Sequence, residues 1–133
     1  MAELLQIGEV AARTELSVKT IRHYDEVGLV TPSSRSGGGF RLYTDDDVSR
    51  LIAIRRMKPL GFTLDEMRGL LDALDTLASP DTGAQARAEA SAYLAVCHGR
   101  AQEACVTLTR QLGYAREFME QLAAASGEDV TPH

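Results

Sequence analysis

The sequence predicts a mainly α fold, in which a compact N-terminal domain is followed by one long C-terminal helix. Three observations support this prediction. Side chains that can cap a helix stand at Ser17, Thr44 and Thr63, each just before a segment with helical spacing of apolar residues. Three consecutive glycines lie between two short segments that suit a β-hairpin. Beyond residue 85, apolar residues recur in alternating steps of four and three, as in a coiled coil.

Length and composition narrow the class of protein. The chain has 133 residues, 44% of them hydrophobic, which is enough for one compact domain with an appendage. It contains no run of ~18 apolar residues that could span a membrane, and its first residues do not have the pattern of a signal peptide. We therefore expect a cytoplasmic protein without membrane contacts, whose two cysteines are thiols rather than a disulfide.

Charge is unevenly distributed along the chain. Residues 1–70 carry ten basic and ten acidic side chains, whereas residues 71–133 carry four and nine, which accounts for the net charge of −5. The basic residues of the first part are clustered around the glycine run, at Arg35 and Arg41, and again in the segment 50–58. Because local clusters determine phosphate contacts, the first part can bind DNA, and the acidic second part is not expected to do so.

The first two predicted helices form a pair. One spans residues 5–13, and after the short connection 14–16 the other runs from the Ser17 cap to a stop at Gly28. This spacing suits a helix-turn-helix, although an αα-hairpin without a role in DNA binding would share it. The apolar residues of the second helix turn inward, with Tyr24 among them. Its outward face carries side chains that can reach phosphates and base edges, but that would also suit a solvated surface: Lys19, Thr20, Arg22 and His23.

A small β-hairpin is predicted after this pair. Pro32 disfavours helix in the residue before it, and glycines 37–39 suit the tip of a loop. Residues 40–43 favour the strand state and alternate between two faces, so that Arg41 points away from the side chains beside it. We interpret the hairpin as a wing from which Arg41 projects outward. A flexible surface loop is the alternative.

Two more capped helices complete the predicted N-terminal domain. Thr44 precedes three aspartates that are favourable at the positive end of a helix dipole, and this role explains them more simply than a metal site. The helix ends at Pro59. Thr63 and Glu66 then have the spacing of a capping box at the start of the next helix. A connector over residues 76–84 follows.

The last predicted element is a helix over residues 85–124, before a tail (125–133) that we expect to be disordered. Nine of ten positions are apolar in what we call the seam, which comprises positions 90, 94, 97, 101, 104, 108, 111, 115, 118 and 122. A helix of ~40 residues is about 60 Å long, more than the N-terminal domain could cover. A second copy of the same helix is therefore the expected partner.

Four blocks of sequence carry a resemblance to a known family. They are Ile7-Gly8-Glu9-Val10-Ala11, Thr20-Ile21-Arg22-His23-Tyr24-Asp25-Glu26-Val27-Gly28-Leu29 with Pro32, Gly39-Phe40-Arg41-Leu42-Tyr43, and Leu60-Gly61-Phe62-Thr63-Leu64-Asp65-Glu66-Met67. In this order and spacing they resemble the MerR family of bacterial transcription regulators, over about residues 5–75. The long C-terminal helix also resembles the antiparallel dimerisation helix of that family.

The resemblance implies both a fold and a function. The fold is a winged helix-turn-helix DNA-binding domain, here residues 1–75, followed by a long antiparallel coiled-coil dimerisation helix. Members are homodimers that bind a pseudo-palindrome in double-stranded promoter DNA. Many distort the spacer between promoter elements so that RNA polymerase can engage both, which is an indirect readout. The sequence contains no Ser/His/Asp set, Walker loop or pair of acids suited to catalysis, so we expect neither an enzyme nor a cofactor.

Carried over by position, the resemblance implies DNA contacts at three places. They are the recognition helix with its cap, the wing, and a second wing near the phosphate backbone. His23 departs from the family pattern, in which tyrosine is frequent at that position. The residues are, in the same order, Ser17, Lys19, Thr20, Arg22, His23 and Tyr24; Arg41 and Tyr43; and Arg56 and Lys58.

The sequence leaves the question of an effector open. Cys97 and Cys105 have a separation similar to that in copper-sensing relatives, yet they lie ~12 Å apart along one helix, too far to share a metal ion. Across an antiparallel dimer they could meet as a thiol or metal sensor, whereas small fillers of the seam are the simpler interpretation. Tyr93, Tyr114 and Phe118 could form walls of a ligand site or simply pack. The other hypotheses are an architectural regulator without an effector and an adaptor that no longer binds DNA.

Overall fold

The computed structural model describes residues 3–127 and divides the chain into two units, residues 1–95 and 96–133. Within the described residues, the first unit contains a three-stranded sheet, four α-helices and the beginning of a fifth, and the second unit contains the rest of that fifth helix. The predicted mainly α fold is therefore confirmed.

The first two helices form the predicted helix-turn-helix pair, α1 (Ile7–Thr14) and α2 (Val18–Glu26). The turn between them contains Glu15 at φ 59°, a left-handed conformation that L side chains rarely adopt. Ser17 caps α2, as predicted, because its hydroxyl accepts a hydrogen bond from the backbone N–H of Thr20 at 3.0 Å. The register of α2, and with it the set of side chains that faces outward, follows from this start.

Three short strands form an antiparallel sheet in the order β1-β3-β2. Their bounds are Leu5–Gln6 for β1, Ser34–Arg35 for β2 and Arg41–Tyr43 for β3. The last two strands are the predicted hairpin. The prediction of helix over residues 5–13 is wrong for its first two residues, because Leu5 pairs with Tyr43 in the sheet. A strand of two residues has no periodicity from which it could be recognised.

The next two helices start at the predicted caps. Helix α3 (Asp45–Met57) leads through a 3-10 turn (Lys58–Leu60) to α4 (Leu64–Ala78), and both helices begin with a capping box. The carboxylate of Asp47 closes the first box by accepting from the backbone N–H of Thr44 at 2.9 Å. It also accepts the Ser33 hydroxyl at 2.6 Å, which attaches the segment before the wing to α3. Asp47 is thus a structural group and buried for that reason.

The core of the first unit lies where α1, α2, α3 and α4 meet the sheet. Its largest fully buried apolar side chains are Val10, Ile21, Val30, Tyr43, Leu51, Ile54 and Leu71. Three large apolar residues of this unit are exposed: Phe40 at 69%, Leu64 at 36% and Leu74 at 42%. Phe40 precedes β3 and belongs to the loop, where its backbone N–H donates to the Ser36 hydroxyl.

The fifth helix, α5 (Ala84–Ser126), is continuous over 43 residues. It starts one residue before the predicted range of 85–124 and ends two residues after it. Within the predicted tail, residues 128–133 lie outside the described residues. Large apolar side chains of α5 are exposed, among them Leu108, Leu112, Phe118, Met119 and Leu122. No helix in residues 3–127 is long and apolar enough to cross a membrane.

Candidate DNA-binding interface

The outward face of α2 is cationic and accessible. Lys19, Arg22 and His23 are exposed, while Ile21 on the opposite face is fully buried. Thr20 is half-buried, and its hydroxyl oxygen accepts a hydrogen bond from the Ser17 hydroxyl at 2.8 Å. The helix therefore offers two cations and an imidazole in its first two turns, and Ser17 uses its side chain for the cap.

Tyr24 lies on the inner side of α2. Its side chain is 5% exposed, and its ring is tilted by 45° against that of His23 at a centroid distance of 6.0 Å. Its backbone carbonyl accepts from Leu29 and Val30, which closes the C-terminal end of the helix. Tyr24 is therefore a packing residue that supports the exposed imidazole.

The wing is connected to α2 through one carboxylate. Asp25 Oδ2 accepts a hydrogen bond from Arg41 Nε at 2.6 Å and another from Arg35 Nη2 at 3.2 Å. The hydrogen bond that Arg41 donates to Asp25, more than any other factor, raises the pKa of the Arg41 guanidinium above its ordinary value. Arg41 thus projects from β3 towards α2 and is fixed there, whereas Arg35 is half exposed.

Tyr43, which the resemblance assigns to DNA contact, is buried completely. Its hydroxyl has no hydrogen-bond partner within the part of the chain that the structure describes, and burial raises the pKa of its phenol. A side chain without exposed surface cannot touch a duplex. This expectation is corrected accordingly: Tyr43 packs the wing strand onto the core, at the position paired with Leu5.

A second cationic region lies beyond α3. Lys58 is exposed in the 3-10 turn, and a groove of ≈ 530 Å³ runs between it and the outward face of α2. The residues that line this groove are Lys19, Thr20, His23, Tyr24, Lys58, Phe62, Leu64 and Met67. The structure therefore brings four of the predicted residues to one surface, Lys19, Thr20, His23 and Lys58, with the buried Tyr24 beneath them. Arg56 is exposed near the end of α3 but does not line the groove.

On its other flank, α2 faces the wing. A smaller cavity of ≈ 130 Å³ is lined by Arg22 and Arg41 together with Gly39 and Phe40 of the hairpin and residues 6–8. Arg22 and Arg41 are thus neighbours at the base of the wing. Helix α2 is flanked by one cationic side chain on each side, Arg41 of the wing and Lys58 of the 3-10 turn.

Two arginines that the sequence analysis did not single out hold this arrangement together. Arg55 of α3 donates to the carbonyl of Thr14 at 2.8 Å and to the carboxylate of Glu15 at 2.9 Å, which stabilises the left-handed turn of the helix-turn-helix. Arg68 of α4 donates to the carbonyls of Gly28 and Val27 at the end of α2. These contacts join residues about 40 positions apart, so no local pattern could have indicated them.

The candidate sensor residues do not come together within one chain. Cys97 is buried and Cys105 is exposed, and residues 3–127 contain no group of three or more side chains placed to hold a metal ion. Tyr93 donates its hydroxyl to the carbonyl of Glu66 at 2.9 Å, which gives it a role in packing against α4. Tyr114 and Phe118 are 62% and 57% exposed.

The fold and this face define a winged helix-turn-helix protein of the DNA-binding class. Comparison with family models identifies it further: the model described as "MerR HTH family regulatory protein" matches residues 5–74, and the one described as "MerR, DNA binding" matches residues 48–124. The chain belongs to the MerR family, which confirms the resemblance drawn from the sequence.

Curated relatives agree with this assignment. The chain is 35% identical over 118 residues to the HTH-type transcriptional regulator CueR of Vibrio cholerae. This match covers 89% of the chain and 76% of CueR. The chain is also 46% identical over 74 residues to the HTH-type transcriptional activator TipA of Streptomyces coelicolor, and this match covers 56% of the chain. The chain spans only 28% of the length of TipA.

A solved structure supports the fold over nearly the full length. The MerR family regulator HiNmlR, which lacks the sensor domain and was crystallised bound to promoter DNA, superposes with a TM-score of 0.65. The match covers 95% of this chain and 97% of HiNmlR at 22% sequence identity. At that identity the match shows a shared fold.

Proposed function

We propose that the chain is a sequence-specific transcription regulator that binds a pseudo-palindromic promoter as a homodimer. The observation that carries the proposal is the cationic outward face of α2, flanked by Arg41 on one side and Lys58 on the other. A helix presented in this way fits the major groove, and the flanking cations fit the phosphates on either side of it. Residues 1–75 form the DNA-binding domain in this proposal, 76–84 the connector and 85–124 the dimerisation helix.

The proposed roles of the individual side chains follow from their exposure. Arg22 and His23 are placed to reach base edges, whereas Lys19, Arg41 and Lys58 are placed to contact phosphates. Ser17 and Thr20 contribute to DNA binding through their position at the start of α2, where the backbone N–H groups favour a phosphate. Arg56 is a peripheral phosphate contact.

Dimerisation through α5 is supported by its uncovered apolar side chains. Leu108, Phe118 and Leu122 belong to the seam and are exposed by 44%, 57% and 53%. Exposed apolar surface of this extent on one helix indicates a partner. An antiparallel second copy would cover the seam and fix the separation of the two recognition helices. A fixed separation favours DNA whose spacer is bent or untwisted to match it, which would let RNA polymerase engage both promoter elements.

Binding to a selected duplex tests the proposal. The full-length protein is used to select duplexes from a random-sequence pool, and the binding of the best duplex is followed by mobility shift over a range of salt concentrations. We expect Arg22→Ala to lose about 1–3 kcal/mol of discrimination against a changed base pair, and Lys58→Ala to weaken all sequences alike with a salt slope lower by about one.

The matched control is Arg110→Ala, which removes an exposed cation from α5. We expect this variant to bind like the unchanged protein. Equal losses for Arg22→Ala and Arg110→Ala would contradict the assignment of α2 as the recognition helix. Selection of duplexes without an inverted repeat, or a complex with one protomer per duplex, would contradict the dimer.

A further inference from the structure

Asp25 is an acidic residue in the middle of a surface proposed to bind a polyanion. We propose that Asp25 is a specificity-determining residue: it holds Arg35 and Arg41 in one place and cancels one of their two charges, so that binding to random DNA is weakened relative to binding to the operator. This inference rests on the proposed function and adds to it a group whose charge opposes DNA.

The geometry distinguishes Asp25 from an ordinary surface acid. Its side chain is 11% exposed, and a single oxygen, Oδ2, accepts from both Arg41 and Arg35. Asp25 takes the Nε edge of Arg41, and within residues 3–127 the two terminal nitrogens of that guanidinium have no hydrogen-bond acceptor. The terminal nitrogens of Arg41 are therefore available for a phosphate while the side chain is held from behind.

The position of Asp25 in α2 supports a role beyond local stability. It lies in the last turn of the helix, next to Glu26, where the partial negative charge of the helix dipole disfavours a carboxylate. The pairing with two arginines offsets this cost. Both arginines come from the two strands of the hairpin, since Arg35 and Arg41 face each other in the β2–β3 pair. One carboxylate thus fixes the whole wing relative to the recognition helix.

This arrangement affects random and specific DNA differently. Binding to random DNA depends almost entirely on the number of phosphates that free cations can neutralise. Asp25, Arg35 and Arg41 together have one net positive charge. Without the carboxylate of Asp25, the two arginines have two. Specific binding also requires the wing and α2 to reach their contacts together, and this depends on the fixed position of Arg41.

The experiment compares Asp25→Asn with Glu26→Gln. Both substitutions remove one negative charge from the same helix end, but Glu26 is exposed and makes no hydrogen bond to the wing arginines. Each full-length protein is titrated with the duplex selected by the unchanged protein and with a random duplex of the same length, at several salt concentrations. Thermal unfolding by circular dichroism verifies that both variants are folded.

We expect Asp25→Asn to bind the random duplex about threefold more tightly or better, with a salt slope steeper by about 0.9 for one added phosphate contact. We expect the ratio of random to selected dissociation constants to fall about tenfold, whereas Glu26→Gln changes this ratio by less than about twofold. Equal effects of the two variants would reduce the role of Asp25 to general charge and overturn the proposal. Parallel weakening of both duplexes by Asp25→Asn would overturn it too, because the residue would then only support the fold.

A second readout separates this proposal from the proposed function. In DNA-free protein, the Arg41 Nε–H resonance is expected to be protected from exchange with water, and to exchange faster in Asp25→Asn, whose uncharged amide oxygen is a weaker acceptor, but not in Glu26→Gln. Failure of the unchanged protein to prefer any duplex would remove the proposed function, while tighter random binding by Asp25→Asn alone would still support charge cancellation. An Arg41 Nε–H that exchanges equally fast in all three proteins would overturn the pairing itself.

Discussion

The N-terminal unit and the long helix α5 bury their apolar residues in different ways. In the N-terminal unit, Ile21 and Leu51 are fully buried by residues of the same unit. On α5, Leu108, Phe118 and Met119 are 44–63% exposed although the helix is continuous over 43 residues. A helix gains most of its stability from packing of its apolar face rather than from propensity. The comparison shows that the first unit buries its apolar residues within the chain, and the exposed residues of α5 support the proposal that a partner covers them.

The largest expected effect is on the partner of α5. In the proposed dimer, Leu108→Glu adds one carboxylate from each copy to the seam, and burying unpaired charge is strongly unfavourable. We expect the dimer dissociation constant to rise at least about a thousandfold, which corresponds to ~4 kcal/mol. Val106→Glu is the matched control, since Val106 is 60% exposed but lies outside the seam. Sedimentation equilibrium measures the dimer dissociation constants of both variants. If the two constants rose equally, the interface would not be formed by the seam.

A smaller effect is expected from a cavity in the N-terminal core. Leu51→Ala removes a fully buried side chain from α3 and should lower the free energy of unfolding by about 3 kcal/mol, within the range for such substitutions. The measurement is urea unfolding at a fixed protein concentration, because the stability of the proposed dimer would depend on concentration. Val106→Ala is the control and should change stability by less than about 0.5 kcal/mol. Similar losses for both variants would contradict the difference between the two regions.

Two glycines in helices sharpen the comparison, because alanine should lower the stability of the protein at one of them and raise it at the other. A Cβ on Gly69 of α4 would lie 2.7 Å from the Tyr93 hydroxyl, which is hydrogen-bonded to the Glu66 carbonyl. We expect Gly69→Ala to destabilise by about 1–2 kcal/mol, because overpacking outweighs the gain in helix propensity. A Cβ on Gly113 of α5 meets nothing within 4 Å.

Gly113→Ala should therefore stabilise the protein by about 0.5–1 kcal/mol through helix propensity alone. Thermal unfolding of both variants, at one protein concentration, measures the two shifts. Stabilisation by Gly69→Ala would show that Tyr93 moves away easily and that α4 and the start of α5 are not closely packed. Destabilisation by Gly113→Ala would show that this part of α5 is approached closely by a partner.

The sequence predicted features that depend on residues close together in the chain, and it did not predict contacts between residues far apart in the chain. The cap at Ser17 and the capping box of Thr63 with Glu66 involve residues three apart, and both are present. The outward face of α2 follows from the same local register. The contact of Asp25 with Arg41 spans 16 residues, and that of Arg55 with Thr14 spans 41. Long-range contacts of this kind depend on how the elements assemble, which no local pattern encodes.

The wing shows the same limit within a few residues. The glycine run and the strand pattern of residues 40–43 predicted the hairpin, yet the third strand at Leu5 was missed and Tyr43 was assigned to DNA. An alternating pattern gives two faces but does not say which one is covered. Here β1 and the core cover the face of Tyr43. Whether the remaining predicted residues contact DNA stays a prediction for the binding experiments.

The smallest expected effect again compares the two regions, through two threonines with different backbone roles. Thr63 accepts from the backbone N–H of Glu66 at 3.2 Å and caps α4, so Thr63→Ala should cost about 1 kcal/mol. Thr109 lies inside α5 and donates its hydroxyl to the carbonyl of Cys105, a local bond that does not favour the helix. Thr109→Ala should be neutral or stabilise by a few tenths of a kcal/mol, since alanine has the higher helix propensity. Urea unfolding of the two variants at one concentration measures the difference, and a loss at Thr109 as large as that at Thr63 would mean that its side chain packs against the second copy of α5.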